Sequence, residues 1–134
     1  MKSIFFSFLM AWYVLAYGQK DKYQLSTHIL DISAGHPAAG VLIKLWQQSD
    51  DSTLQFVAEA KTDQNGRIND FLPSDPQRKA AIYKLIFYTQ PCFDAQAVSS
   101  FYPFVEVNFA INDHKQYHVP IVISPYGYST YRES

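Results

Sequence analysis

The chain contains little of what several classes of protein depend on. Cys92 is the only cysteine among 134 residues, so a disulfide within the chain is impossible. A hydrophobic core, or association between copies, must therefore hold the fold together. Cys92 stands between Pro91 and Phe93, with no histidine near it in the sequence, and this indicates a packed thiol rather than a nucleophile.

An excess of charge of one sign is also absent. The sequence has 11 Lys and Arg against 12 Asp and Glu, a formal net charge of -1, with no block of like charge. This excludes the basic footprint of a nucleic-acid-binding surface, and we expect no nucleic-acid partner. Hydrophobic residues make up 48% of the chain, which is enough to bury the core of a single domain of this length.

The usual motifs of metal, phosphate and hydrolase sites are missing. His36, His114 and His118 have no C-x-x-C or H-E-x-x-H context, and a metal site on His28 and His118 has no evident further ligand. Neither a glycine-rich phosphate loop nor a G-x-S-x-G elbow occurs. We therefore expect neither a metal nor an organic cofactor.

The only long apolar run lies at the N-terminus. Lys2 precedes an apolar stretch over residues 4–15, and Ala16-Tyr17-Gly18 follows it, the order typical of a secretion signal. The run is shorter than the roughly 20 residues of a membrane span. We predict a signal peptide over 1–18, a mature domain over 19–134 that is exported to the periplasm or secreted, and no membrane association after cleavage. An uncleaved anchor or a buried helix is the alternative.

Short strand-like segments fill the rest of the chain. They are rich in β-branched and aromatic residues and are separated by turn signals, of which Asn65-Gly66 is the strongest. The predicted strands are 25–31, 41–47, 54–62, 67–71, 82–89, 104–111, 117–124 and 128–132, with one or two helical turns within 91–98. This pattern predicts an all-β, antiparallel sandwich of about eight strands with one short helix.

Alternation along these strands separates two sets of side chains. Successive residues of a strand point to opposite faces. If the β-branched faces pack inside, His28, His118 and Tyr131 point outward and can meet on the outer face of one sheet. Apolar residues share that face, which predicts that another subunit covers it; they are Leu30, Pro120 and Val122.

The residue types on this face suit acid–base chemistry. Histidine has an unperturbed pKa near neutrality, so a pair of histidines in a dry groove can transfer protons. Arg67 follows the Asn65-Gly66 turn and can present a fork of donors to a planar acceptor. Each residue taken alone also has a structural interpretation, as a hydrogen-bonded strand histidine or a solvated arginine.

Several blocks of this chain, in order, resemble the transthyretin-like proteins. They are LSTHILD (25–31) with GHPA (35–38), TDQNGR (62–67), FYP (101–103), YHVP (117–120) and SPYGYSTYR (124–132). The resemblance extends from residue 23 to the end of the chain. It implies a Greek-key β-sandwich and a homotetramer with sites in a channel at the dimer–dimer interface.

Within that family the residues resemble the 5-hydroxyisourate hydrolases more than the hormone carrier. The resemblance implies hydrolysis of 5-hydroxyisourate to 2-oxo-4-hydroxy-4-carboxy-5-ureidoimidazoline in purine (urate) catabolism. It implies His28, Arg67 and His118 as catalytic residues, and His28, Arg67, Tyr131 and Ser134 as substrate-binding residues. Which histidine is the general base stays open. A small-molecule carrier on the same scaffold and an inactive interaction module are the alternatives.

Glu133 departs from the pattern of the enzymes, which have glycine at this position. Alternation places Glu133 on the same face as Tyr131. One hypothesis is that it pairs with Arg67 or raises the pKa of a histidine. The other is that this residue, next to the C-terminus, turns away into solvent.

Overall fold

A computed structural model of the protein describes residues 22–133, and this part of the chain forms ten β-strands and one short helix. The strands are β1 (Tyr23–Asp31), β2 (His36–Pro37), β3 (Leu42–Gln48), β4 (Leu54–Lys61), β5 (Arg67–Pro73), β6 (Ala81–Phe87), β7 (Val105–Ile111), β8 (Tyr117–His118), β9 (Ile121–Ser124) and β10 (Gly127–Thr130). The helix α1 (Gln90–Asp94) lies between β6 and β7.

The strands form two sheets, and β1 is the centre of the first. That sheet has the order β10-β9-β1-β2, with β5 and β8 also paired to β1. One edge of β1 is lined by β5 and then β2, and the other by β8 and then β9. The second sheet has the antiparallel order β4-β3-β6-β7. The predicted all-β sandwich with one short helix is confirmed.

The core lies between the two sheets. Alternate residues of each strand point inward, and burying each such side chain contributes roughly 1.5–3 kcal/mol. The innermost side chains are almost completely buried and come from both sheets: Leu25, Ile29, Ile121 and Ile123 from the first, and Ile43, Leu45, Tyr83, Leu85, Phe87 and Ile111 from the second. Leu25 and Ile29, which the sequence predicted to point inward from β1, are among them.

Two pairings differ from the predicted antiparallel arrangement. β1 runs parallel to β8 and β9, whereas its pairings with β2 and β5 are antiparallel. Tight turns join antiparallel strands, but a parallel pair needs a long crossover connection. Here that connection includes the whole second sheet, so local turn signals do not reveal the parallel pairing.

Further differences lie in the predicted strand 117–124 and in the predicted helical turns. The predicted strand 117–124 is divided into β8 and β9 at Val119-Pro120, because Pro120 has no N–H to donate to a ladder. The predicted helical turns within 91–98 shorten to Gln90–Asp94. Cys92 on this helix packs against the core, and burial together with the Asp31 charge raises the pKa of its thiol, as expected for a packed residue.

Two sequence-based predictions fall outside the described residues. They are the signal peptide at 1–18 and the substrate-binding role of Ser134. Within residues 22–133, no helix has the length and apolar character needed to cross a membrane.

Candidate active site

Two histidine rings lie in direct contact on the outer face of the first sheet. Nδ1 of His28 lies 2.7 Å from Nε2 of His118, a hydrogen-bond distance that requires one nitrogen to carry a proton and the other to accept it. The ring centroids are 4.9 Å apart and the planes are inclined by 27°. The predicted meeting of these two residues is observed.

The position of β1 brings the two rings together. Ser26 of β1 is the parallel partner of His118 in β8, so His28 lies one outward-facing position further along the same face. The backbone of Val119 donates to the carbonyl of Ser26, and the Thr27 hydroxyl donates to the carbonyl of Val119. These bonds hold β8 against β1 and fix the contact between the rings.

Arg67 approaches the pair from the other edge of β1. It is the antiparallel partner of His28 in β5 and its side chain is exposed. The preceding turn requires Gly66, which has a φ of 71°. A Cβ at Gly66 would lie 2.7 Å from the carbonyl oxygen of Ile29, closer than van der Waals contact permits. Asp63 completes the turn by accepting the backbone N–H of Arg67 at 3.0 Å.

The hydroxyl of Ser26 forms the third member of a polar chain, which the sequence analysis did not single out. Its Oγ lies 2.7 Å from Nδ1 of His118. A hydroxyl can donate or accept, so Ser26 can satisfy either tautomer of the ring. The only available signal was that Ser26 shares the outward face of β1 with His28. Its partner lies 92 residues away in the sequence.

Glu133 is held beside His118 rather than turned into solvent. Its backbone N–H donates to the carbonyl of His118 at 3.0 Å in an isolated antiparallel bridge. Its Oε2 lies 3.6 Å from Nε2 of His118, although 55% of the side chain is exposed. Within residues 22–133 it forms no ion pair with Arg67. The solvent alternative is therefore wrong. Of the other hypothesis, the pairing with Arg67 is not observed in these residues, whereas Glu133 does act to raise the pKa of both histidines.

Both histidines favour the neutral state. Burial lowers the pKa of His28 below its usual 6.5, and the Arg67 guanidinium lowers it further, while Glu133 acts in the opposite direction. Burial also lowers the pKa of His118; His28 and Arg67 add to this, and Glu133 opposes it. At neutral pH the pair is therefore uncharged and can accept one proton.

The same groups carry the types of donor atom that can bind a metal ion. His28, His118 and Glu133 each place a donor atom within 4.8 Å of the others, so Glu133 adds a third donor atom that the sequence did not reveal. Two tetrahedral Zn–N bonds of about 2.0–2.1 Å separate the nitrogens by about 3.3 Å. The observed 2.7 Å fits a shared proton better than a shared ion.

A cavity of about 240 Å³ opens beside the pair. Its lining includes Ser26, His118 and Glu133, together with Asn69 from β5, but neither His28 nor Arg67. The His118 side of the pair therefore has a walled space for a small molecule.

Arg132 and Tyr131, which precede Glu133 near the C-terminus, have different surroundings. The Arg132 guanidinium lies 4.2 Å from the ring centroid of Tyr117, a cation–π contact that anchors the segment before Glu133. Tyr131 is half exposed and forms no hydrogen bond or ring contact with the histidine pair or with Arg67 in the described structure. Its predicted substrate-binding role stays a prediction.

Comparison with known proteins places the chain in a family. The model of the HIUase/Transthyretin family matches residues 25–133. A probable 5-hydroxyisourate hydrolase of Caenorhabditis elegans is 42% identical over 133 residues, which cover 98% of this chain and 97% of that protein.

Two solved structures share the fold. The 5-hydroxyisourate hydrolase of Klebsiella pneumoniae is 37% identical, with a TM-score of 0.69 over 82% of this chain and 98% of that one. Sea bream transthyretin in complex with thyroxine is 29% identical, with a TM-score of 0.75 over 81% of this chain and 93% of that one. A hydrolase and a protein crystallised with thyroxine therefore share this architecture.

Proposed function

We propose, from the premise that this chain belongs to the HIUase/Transthyretin family, that it is an enzyme that hydrolyses the cyclic amide of 5-hydroxyisourate in purine catabolism. A nematode relative is named a probable 5-hydroxyisourate hydrolase, and a bacterial relative a 5-hydroxyisourate hydrolase. The observation that carries the proposal is the 2.7 Å contact between His28 and His118, with Arg67 beside His28 in the adjacent strand.

The geometry supports a hydrolysis in which the histidine pair moves the protons. The neutral pair accepts a proton from water, and the resulting hydroxide attacks the ring carbonyl. The Arg67 guanidinium stabilises the negative charge that develops on the carbonyl oxygen. The carbon–nitrogen bond then breaks, the pair returns its proton to the departing nitrogen, and the product is the ureidoimidazoline carboxylate.

The carrier function is the rival on this scaffold. The backbone alone favours neither the carrier function nor the hydrolase function, because the TM-scores to the thyroxine complex and to the hydrolase are similar, at 0.75 and 0.69. The site favours the hydrolase, since an apolar ligand has no need of two contacting histidines and an arginine beside them. Sequence identity points the same way, at 37% to the hydrolase and 29% to the carrier.

We also propose that the mature chain is exported and assembles as a homotetramer. The N-terminal pattern supports export. Exposed aromatic residues support assembly, because Phe101 and Tyr126 are 70% and 73% exposed and such patches commonly mark interfaces. Sequencing the N-terminus of the secreted protein and measuring its mass in solution test these two points. An intact N-terminus or a monomer would contradict them.

The proposed function is tested by the decay of freshly generated 5-hydroxyisourate, followed by ultraviolet absorbance with and without the protein. We expect decay faster than the spontaneous rate and proportional to protein concentration. His118→Ala should remove the acceleration, and His114→Ala, which changes an exposed histidine, should keep it. Decay at the spontaneous rate with tight binding of an aromatic ligand would instead support the carrier.

A further inference from the structure

We propose that Glu133 is a positioning residue for the transferred proton: as the counter-ion of His118, it makes His118 rather than His28 the final holder of the proton taken from water. This rests on the proposed hydrolysis. It also assigns different roles in proton transfer to the two histidines.

The two rings have partners of opposite charge. Arg67 is the cross-strand partner of His28, and its positive charge opposes protonation of that ring. Glu133 is bridged by its backbone to His118 and places a carboxylate oxygen 3.6 Å from Nε2, so its negative charge favours protonation there. The pair is thus electrically polarised from His28 towards His118.

The hydrogen bonds provide a route for the proton. With His28 Nδ1–H donating to His118 Nε2 and His118 Nδ1–H donating to Ser26, Nε2 of His28 is left as an acceptor. Within residues 22–133 this nitrogen has no protein partner. It takes a proton from water and leaves hydroxide. The Nδ1 proton of His28 moves to Nε2 of His118, and the charge rests beside Glu133.

Three titratable or charged groups act on His118, and Lys22 and Tyr23 line the cavity next to it. His28 contacts it from β1, Arg67 acts on it from β5, and Glu133 faces it from the C-terminal bridge. Of these, only Glu133 raises the pKa of His118. Removing that carboxylate should therefore lower the pKa of His118.

The test compares Glu133→Gln with Glu106→Gln. Glutamine preserves the shape and the backbone bridge of residue 133 but removes the charge. Glu106 pairs with Lys84 at 3.4 Å on the second sheet and controls for loss of a carboxylate elsewhere. The first measurement is the NMR titration of the His118 ring in the substrate-free protein. We expect His118 to titrate at lower pH in Glu133→Gln and at its parental pH in Glu106→Gln.

The second measurement is the pH profile of 5-hydroxyisourate hydrolysis. In Glu133→Gln we expect kcat to fall about two- to fivefold, the size of effect typical of a partly exposed ion pair, and the acid limb of kcat/KM to move to lower pH. Glu106→Gln should change neither. A purely structural role would leave the position of the acid limb unaltered.

Three outcomes would decide against the inference or its premise. An unmoved His118 titration in an active enzyme overturns the counter-ion role. A change confined to KM that disappears at high salt also overturns it, since it would show that Glu133 only repels an anionic substrate. A shifted titration in a protein that does not accelerate 5-hydroxyisourate decay supports the ion pair and overturns the proposed function.

Discussion

The two faces of β1 share one backbone but differ in their surroundings. Inward, Leu25, Thr27 and Ile29 are at most 1% exposed and lie in the core. Outward, Ser26 and His28 are half-buried and belong to a polar chain with His118. One strand therefore presents one set of alternate residues to the core and the other set to the proposed active site, so we expect stability and activity to change separately.

The largest expected effect is a loss of stability caused by a substitution on the inner face of β1. Ile29→Ala removes a fully buried side chain and should lower the free energy of unfolding by about 2–5 kcal/mol. The matched outward change Leu30→Ala, at a half-buried position, should cost less. Denaturant unfolding of both variants measures this, and equal losses would contradict the division between the faces.

On the outer face the expected loss is in turnover. His28→Ala and Arg67→Ala should each lower kcat at least about a hundredfold if each acts in the transition state. His36→Ala, which changes an exposed histidine of the same sheet, should leave turnover unchanged. Steady-state rates, with circular dichroism as a check on folding, test this. Near-parental rates in both variants would remove these residues from the mechanism.

The hydroxyls of Ser26 and Thr27 allow the two faces of β1 to be compared at adjacent residues. Ser26→Ala removes the partner of Nδ1 of His118 and should lower kcat about tenfold, the cost of about 1.4 kcal/mol for a lost hydrogen bond. Thr27→Val removes the buried bond to the Val119 carbonyl and should instead lower stability by about 1–3 kcal/mol. The comparison fails if both variants lose the same property.

The smallest effect concerns pH. Burial lowers the pKa of His28 and of His118 in the folded protein, so below 6.5 the unfolded chain binds more protons than the folded one. The free energy of unfolding should therefore decrease as pH falls from about 7.5 to about 5.5. Denaturant unfolding across this range should show a weaker dependence in His118→Gln. An unchanged dependence in His118→Gln would show that this ring does not contribute.

Much of the fold was accessible from local pattern. The alternation of 25–31 identified the inward face of β1 and the outward direction of His28, because a strand has a period of two. Asn65-Gly66 marked the turn before Arg67, where Gly66 has the positive φ that the tight approach requires. The break at Pro120 was missed, although proline within a predicted strand is a signal for it.

The contacts of the site were less accessible. The sequence suggested that His28 and His118 share an outer face, but not their 2.7 Å contact. The role of Ser26 was not predicted, because its partner lies on a strand that pairs in parallel after a long crossover. The position of Glu133 stayed open between a place beside a histidine and solvent, because a residue near a chain end can adopt either, and the backbone bridge to His118 decides for the first.

The sequence by itself determined which residues are suited to a core and which to proton transfer, because those properties depend on residue type and on spacing within one strand. Only the tertiary structure decided which of them meet. Ser26 and His118 are 92 residues apart, and their contact depends on β8 lying against one edge of β1 while β5 lies against the other. Such pairings are set by the packing of the whole sandwich, which short-range patterns do not encode.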